Sequence, residues 1–399
     1  MSFLIFLFAF TLAVIALFLA AFLALETLAA MVPSKALGAN AEVEGPVVVV
    51  VPAHNEANSI GATLGNINSQ LREGDQVLVV ADNCTDDTAA VARGLGARVL
   101  ERVDPENRGK GYALQFALDA LRDAPPEMVV FTDADCQFGP NALSRIVHCA
   151  ATLGRPAQAL YLMRAPTEAS PRLQVSEFAW AFINNVRMRG LQRLFDVTRF
   201  TGAGLAVSWD GIKSIHLGSG EIVEDLSLTF DLARIGQSPI LISDALVTSE
   251  FPTSDDALAR QSARWSIGSM RFAFRVCIST LIEGVFTRKP ALIGAAIDLM
   301  IPPLTIFCAS LVAVAGVGLL AWPISGDPLP LILALWALLL TGSAIISGWY
   351  RFGREALPPK SLGGVLQFAM SKAAVFGAKG RDSAKRWTPT RDASREDDQ

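Results

Sequence analysis

Cysteine, histidine and charge are all scarce in this chain of 399 residues. The five cysteines, none in a CxxC pair, exclude a disulfide scaffold. The three histidines, far apart, exclude a histidine-rich metal site. Charged residues are only 18% and hydrophobic residues 51%, with a mean hydropathy of +0.39. Soluble chains are about 45–50% apolar, so a disordered chain is excluded and an ordinary soluble enzyme is disfavoured. A net charge of −4 gives no reason to expect nucleic acid as a partner. At about 150 residues per domain the length suits two or three units.

What is present is apolar sequence gathered at the two ends. No charged residue occurs before Glu26, a run long enough for one membrane span, which needs about 20 residues. It lacks a basic start and exceeds the ~7–15 apolar residues of a cleaved signal, so residues 1–32 read as an anchor. A second apolar block starts near Ala291, with no charge between Asp298 and Asp327. The stretch Pro323 to Pro328 is a turn signal, and Leu329 to Tyr350 is charge-free. Residues 291–350 are therefore expected to hold two spans. Arg271, Arg275, Arg288 and Lys289 precede this pair, Arg351, Arg354 and Lys360 follow it, and the connecting loop has no Lys or Arg. The positive-inside rule then places the middle region and the tail in the cytoplasm. The expectation is a multi-pass protein of the cell's inner (plasma) membrane with its middle region inside and its N-terminus outside. The tail, residues 351–399, holds ten Lys/Arg against six Asp/Glu. That suits a surface beside anionic lipid, or equally a solvated tail; Ser361 to Ala378 is a candidate interfacial helix. Asp298 either lines a substrate path or caps a span at the interface.

Residues 43–289 read as an α/β domain. Five valines in a row, Val47 to Val51, suggest a strand buried on both faces. Gln76 to Val80, Ala97 to Leu100 and Met128 to Phe131 are further strand candidates, with helical stretches Ser59 to Leu71, Asp86 to Leu95 and Gly111 to Leu121 between them. Strand alternating with helix predicts a doubly wound sheet, with ligands beyond the carboxyl ends of its strands. Acidic and amide residues gather there: Pro52 to Glu56, Ala81 to Thr88, and Thr132 to Cys136. Neither a dinucleotide fingerprint nor a P-loop follows any of these strands.

Asp133 and Asp135 form a DxD pair. At a strand end, residues i and i+2 point the same way, so the two carboxylates can share a hard divalent cation; turns and helix caps also produce such pairs. Asp82 could bind a base or ribose, or be a turn residue, with Thr85 or Asp86 capping the next helix. Lys110, within Asn107 to Gly111, is a point charge suited to a diphosphate, or a solvated lysine. Glu224 and Asp225 open a helical run, where the dipole favours acids and where an acid in a cleft could act as general base. Thr201 to Gly204 would let a ligand approach the backbone, or simply turn the chain. Gln261 and Arg264 share a helical face; Trp265 could stack on a sugar or sit at the lipid interface. His54 and the cysteines read as packing residues.

The order PxxNE, Asp82, GKG, DxD, ED and QxxRW resembles the membrane-bound family 2 glycosyltransferases of the cellulose synthase and hyaluronan synthase type, over about Val47 to Trp265. The resemblance implies a GT-A fold: a Rossmann-like doubly wound sheet in a cytoplasmic domain, with one N-terminal and two C-terminal transmembrane helices. It implies that Pro52, Glu56 and Asp82 contact the nucleotide, that Lys110 contacts its diphosphate, and that Asp133 meets nucleotide or metal. Asp135 would then ligate Mg2+ or Mn2+, and Asp225 would be the general base. Glu224, Gln261, Arg264 and Trp265 would serve diphosphate and acceptor. The implied reaction is inverting hexosyl transfer from a nucleotide-sugar, usually a UDP-sugar, to a polysaccharide or lipid-linked acceptor in cell-surface glycan synthesis. Export proteins are the implied partners, and no nucleic acid is. Two departures stand out: three spans are fewer than cellulose synthases carry, and Val223 replaces the usual threonine before the acidic pair.

Three alternatives share part of this pattern. Ceramide glucosyltransferase-like glycolipid synthesis also combines DxD with QxxRW and few spans. A non-catalytic scaffold of an export complex would not need Asp135, Asp225 and QxxRW. A nucleotidyltransferase would carry a glycine-rich start where this chain has PAHNE.

Overall fold

The computed structural model describes residues 1–33, 38, 43–166, 169–218, 220–221, 223–252 and 255–365. They form two compact units. One contains the sheet and is built from residues 43–166 and Asp196–Ser269; the other is helical and is built from Met1–Pro33, Ala169–Phe195 and residues 270–365.

The sheet starts from the valine run. In β1 (Val47–Ala53) every residue except Pro52 is buried. β-Branched side chains suit such a strand, being stiff and well packed on a pleated surface. β2 (Gln76–Asp82) and β4 (Met128–Phe131) pair with it in parallel, and β3 (Arg98–Arg102) pairs in parallel with β2. The helices between these strands are α2 (Ile60–Asn68), α3 (Thr88–Gly94) and α4 (Lys110–Leu121). α4 lays Leu114, Ala117 and Leu121 over Val50, Leu78, Val80 and Phe131, each such burial stabilising by about 1.5–3 kcal/mol for a large side chain.

Beyond β4 the sheet departs from the doubly wound expectation. β5 (Gln137–Phe138), α5 (Ala142–Leu153), β6 (Ala157–Arg164), β7 (Leu205–Ser208), α8 (Trp209–Ile212), α9 (Glu224–Arg234) and β8 (Ile240–Glu250) follow. The full order is β3-β2-β1-β4-β7-β6-β8-β5. β7 runs antiparallel to both β4 and β6, β5 runs antiparallel to β8, and β6 and β8 are parallel with a bulge between Ala159 and Leu160. The sheet is thus parallel in one half and mixed in the other. A four-residue strand such as β7 is too short for its side-chain period to announce a direction.

In the helical unit, α1 (Ser2–Met31) and the helices α12 (Leu304–Ser325) and α13 (Leu329–Gly348, continued by one π-helical turn to Gly353) are long and apolar enough to cross a membrane. The second apolar block is not a single helix from Ala291. α11 (Pro290–Met300) ends before Pro302 and Pro303, and α12 starts after them, because proline cannot donate within a helix. α6 (Pro171–Ala181), a π-helical stretch Phe182–Arg187 and α7 (Met188–Phe195) complete the unit. Its core contains Phe22, Leu23, Phe182, Phe307 and Leu311.

This unit buries charge. Glu26, Arg187 and Asp298 are 0%, 3% and 0% exposed. Arg187 Nη2 donates to Asp298 Oδ1 at 2.7 Å and to its carbonyl at 2.6 Å, while Nε lies 3.5 Å from Glu26 Oε2. Asp298 therefore neither caps a span at an interface nor lines a path; it is a buried partner of Arg187. One turn on, a Cβ at Gly190 would overlap the Glu26 backbone, so glycine is what lets α7 approach α1 this closely. The proposed interfacial helix lies outside the described residues from residue 366 on; Pro359–Ser361 forms a single 3-10 turn.

Candidate active site

The carboxyl ends of β1 and β2 lie side by side. After β1, Asn55 adopts φ 54° and bonds Thr85 through its side chain, accepting from the Thr85 N–H at 2.8 Å and donating to Oγ1 at 3.2 Å. The Glu56 N–H donates to Thr88 Oγ1 at 2.8 Å, and its carboxylate accepts from Ser59. His54 Nδ1 lies 2.7 Å from the carbonyl of Asp82, a structural contact as expected. The cap position of the next helix is held by neither Thr85 nor Asp86 but by Asp87, whose side chain makes no capping bond; Asp86, one residue earlier, accepts from the Thr88 N–H at 3.0 Å.

Asp82 is buried, and Arg102 holds it. Arg102 Nη1 donates to Asp82 Oδ1 at 2.7 Å; Nη2 donates to Asp104 Oδ2 at 2.9 Å and to the Asn107 carbonyl at 2.8 Å. The guanidinium lies 5.6 Å from the centre of the Tyr112 ring. Burial pushes the Asp82 carboxyl up, against Arg102 and His54, which favour its charged form. Arg102 escaped the sequence reading. Its available signal was charge: Asp82 and Arg102 are register partners at equivalent ends of neighbouring strands.

A second cluster gathers around Lys110, the first residue of α4, which follows Gly109 at φ 137°. Lys110 Nζ donates to the Asp133 carboxylate and, at 2.8 Å, to the Gly202 carbonyl, and lies 4.0 Å from Glu224 Oε1. A Cβ on Gly202 would meet Lys110 Nζ at 3.2 Å, Asp133 Oδ2 at 3.6 Å and Asp225 Oδ2 at 3.8 Å. The fold thus brings Lys110, Asp133, Glu224 and Asp225 around one glycine. Burial disfavours the Lys110 charge, but Asp133 and Glu224 outweigh it and hold the ammonium above its ordinary value. Burial pushes Glu224 up to about 7 against the pull of Lys110, and Asp225 adds to the push. Asp225 is likewise raised by burial, with Lys110 and the Leu226 N–H opposing.

The Gly202 segment is fixed by residues that sequence reasoning missed. Buried Gln158 accepts from the Thr201 N–H at 3.2 Å and donates to the Ala203 carbonyl at 2.7 Å. Thr229 of α9 accepts from the Phe200 N–H at 2.9 Å, and the charge of Arg199 acts on Asp225. None of these residues stands in a motif.

Asp133, Asp135 and Cys136 place ligand atoms within 4.8 Å of one another. Burial, then the two aspartates, raise the Cys136 thiol well above its ordinary value, and a thiol is a soft ligand. The remaining pair of carboxylates suits a hard divalent cation, which takes oxygen ligands.

Gln261, Arg264 and Trp265 lie on α10 (Asp255–Phe286). Burial lowers the Arg264 guanidinium, while Glu224 and Asp133 favour its charge, which puts α10 within electrostatic reach of the Lys110 cluster. Gln261 Oε1 is buried with no hydrogen-bond partner. All three side chains are half-buried. Pro52, Glu56 and Asp82 stand apart from the lysine cluster, at the ends of β1 and β2.

Comparison with known proteins agrees with this architecture. A 4,4'-diaponeurosporenoate glycosyltransferase of Staphylococcus aureus (strain USA300) is 38% identical over 93 residues, covering 23% of this chain and 24% of that relative. The chain therefore matches about a quarter of the relative's length. Among solved structures, a mannosyltransferase from Pyrobaculum calidifontis in complex with GDP-Man and Mn2+ superposes with a TM-score of 0.50 at 20% identity, covering 94% of this chain and 95% of the other. At that identity the likeness speaks for the fold alone, which is of the GT-A type with three candidate membrane helices. The model of the family described as glycosyltransferase like family 2 matches residues 45–268, more than half of the chain, and the chain belongs to that family.

Proposed function

We propose that the chain is an inverting hexosyltransferase that moves a sugar from a nucleoside-diphosphate donor, a UDP-sugar, to a polysaccharide or lipid-linked acceptor in cell-surface glycan synthesis. The observation that carries this reading is the Lys110 ammonium set among Asp133, Glu224 and Asp225. In this arrangement Lys110 meets the diphosphate, and Arg264 adds a second positive charge as the leaving group becomes more negative. Asp133 and Asp135 would hold Mg2+ or Mn2+, whose chemistry is to neutralise developing charge on the diphosphate oxygens. The Mn2+ and GDP-Man bound to the structural relative support a metal and a nucleotide-sugar. Asp225 accepts the proton of the acceptor hydroxyl. That oxygen bonds to the anomeric carbon as the carbon–phosphate-oxygen bond breaks, and the nucleoside diphosphate leaves with the electron pair. One base and no protein nucleophile make this a single displacement, hence inversion. Pro52, Glu56 and Asp82 bind the nucleotide; Gln261 and Trp265 serve the acceptor side.

Localisation follows from the spans and their flanking charges: an inner-membrane protein with its catalytic unit facing the cytoplasm. The domain division we propose is an anchor at 1–32, a transferase domain at 43–289, two spans within 291–350, and a basic tail at 351–399. A second reading, transfer to a membrane lipid as in ceramide glucosyltransferases, gains from the number of spans. Three candidate helices among the described residues are few for a polymer channel.

A donor panel tests the reading. Purified protein in detergent with Mn2+ and Mg2+ would meet UDP- and GDP-sugars, with and without membrane lipid extract. Release of nucleoside diphosphate from one donor, lost in Asp225→Asn, supports the assignment. Release that requires lipid favours a lipid acceptor. Turnover of no donor by the wild type would refute the proposal.

A further inference from the structure

Behind the DxD pair the sheet unit buries a chain of polar side chains, two of which stand in no motif. Asp135 is followed by Cys136 and then by β5, which pairs with β8 through Gln137 and Phe138. Cys136 is fully buried, and its thiol donates to Asp135 Oδ1 at 3.6 Å. The same thiol has a side-chain hydrogen bond with Tyr161 of β6. Tyr161 Oη lies 2.7 Å from Ser249 Oγ of β8, and both residues are buried. Ser249 stands two residues beyond Val247, the register partner of Tyr161, so it shares the face of β8 that Val247 presents. A thiol has a single hydrogen to give. Given to Asp135, it leaves the sulfur to accept from Tyr161, and Tyr161 to accept from Ser249. The three donors then point toward one carboxylate, each bond polarising the next. Stability does not require this arrangement, because replacing both polar partners of such a bond by apolar groups of the same shape costs little.

Resting on the metal reading above, we infer that Cys136, Tyr161 and Ser249 are positioning residues that hold the Asp135 carboxylate in orientation for the divalent cation. Partners behind a metal ligand fix its orientation and so tune the affinity of the site. The backbone of the same segment has separate holds. Thr63 of α2 donates to the Ala134 carbonyl at 2.8 Å. Asn66 of α2 accepts from the Phe138 N–H at 2.8 Å and donates to the Phe138 carbonyl at 2.9 Å. Asp133 is held by Lys110. Loss of the Tyr161 and Ser249 hydroxyls therefore leaves the segment and Asp133 in place and acts on the Asp135 carboxylate.

The test is a Mn2+ titration of the full-length protein in detergent, alone and with UDP or GDP, with free Mn2+ read by electron paramagnetic resonance and Tm measured on the same samples. The variants are Cys136→Ala, Cys136→Ser and the double variant Tyr161→Phe with Ser249→Ala. Cys136→Ala and the double variant are expected to bind Mn2+ about tenfold to a hundredfold more weakly than the wild type, the range for partners behind a metal ligand. The double variant, which removes both hydroxyls together, should keep its Tm within about 4 °C of the wild type. Cys136→Ser keeps a donor beside Asp135 and should bind Mn2+ within about threefold of the wild type, well short of the loss in Cys136→Ala. If one of Cys136→Ala and the double variant does not fold, the other decides. A merely structural role would lower Tm and leave Mn2+ affinity unchanged, and that result overturns the inference. An equal loss in Cys136→Ser and Cys136→Ala also overturns it, because the sulfur would then be a ligand itself. A wild type that takes up no Mn2+ under any of these conditions would instead overturn the metal reading on which this one rests.

Discussion

Glu224 and Asp225 are adjacent, both half-buried, and differently engaged. Asp225 Oδ1 accepts from the Leu226 N–H at 2.8 Å, and its other oxygen lies near Gly202; Glu224 faces Lys110. As general base, Asp225 is expected to lower kcat by about 10²–10⁴-fold when changed to Asn, while nucleotide affinity in direct titration stays within a few-fold. Loss of binding with transfer retained would refute the role. The same pair sets a pH dependence. A base works when ionised, and burial raises both acids, so the ionised fraction falls as pH drops through about 7 for Glu224 and above the usual aspartate range for Asp225. The acid limb of a kcat/KM profile is therefore expected well above pH 4, as a property of the pair. A limb near pH 4 would contradict it. For Asp133 and Asp135 the expectation is loss of transfer in EDTA and recovery with Mn2+ or Mg2+; full activity in EDTA would remove their metal role.

At the scale of elements, the segment before β7 is where geometry is tightest. Gly204 has φ 72°, and a Cβ there would meet Ala159 Cβ at 2.8 Å and Val247 Cγ2 at 2.9 Å. Gly204→Ala should destabilise by about 1–3 kcal/mol through overpacking, plus about 1–2 kcal/mol for a left-handed residue, seen as a lower Tm. Gly202 has φ 87°, but the added methyl would press mainly on Lys110 Nζ, the end of a flexible side chain. Gly202→Ala should therefore cost less stability and more activity, because the carbonyl that receives Lys110 moves. Equal effects of the two variants on both readouts would contradict this division.

At the scale of the molecule, charge is buried in the helical unit as well as in the sheet unit. Arg187 joins chain segments more than a hundred residues apart, with one buried carboxylate from α1 and another from α11. Removing one member of a buried ion cluster strands the others and costs about 3–5 kcal/mol. Arg187→Met should lower the melting temperature in detergent sharply, and adding Glu26→Gln and Asp298→Asn should recover part of the loss. A single variant as stable as the wild type would show that the cluster contributes nothing to stability.

Much of this protein is legible without coordinates because the controlling physics is local. Charge-free runs long enough to span a membrane identify α1, α12 and α13, five valines mark β1, and Glu224 begins α9 where the helix dipole favours an acid. The motif positions are visible in the same way, as residues at strand ends. Their partners are not. Arg102 lies past the weak strand read at Ala97 to Leu100 until the β2–β3 register sets it against Asp82, and Asp298 reads as an interfacial cap or a path-lining charge until Arg187, at the end of the π-helical stretch, meets it. The direction of β7 escapes four residues of sequence, and with it the mixed half of the sheet that carries Gly202 to Lys110. Propensity and hydropathy act over a few neighbouring residues, so the first four strands, the helices between them and the three long apolar helices can be read locally. Which charges meet is a matter of packing, because a buried charge is tolerated only beside its partner and that partner is supplied by distant chain.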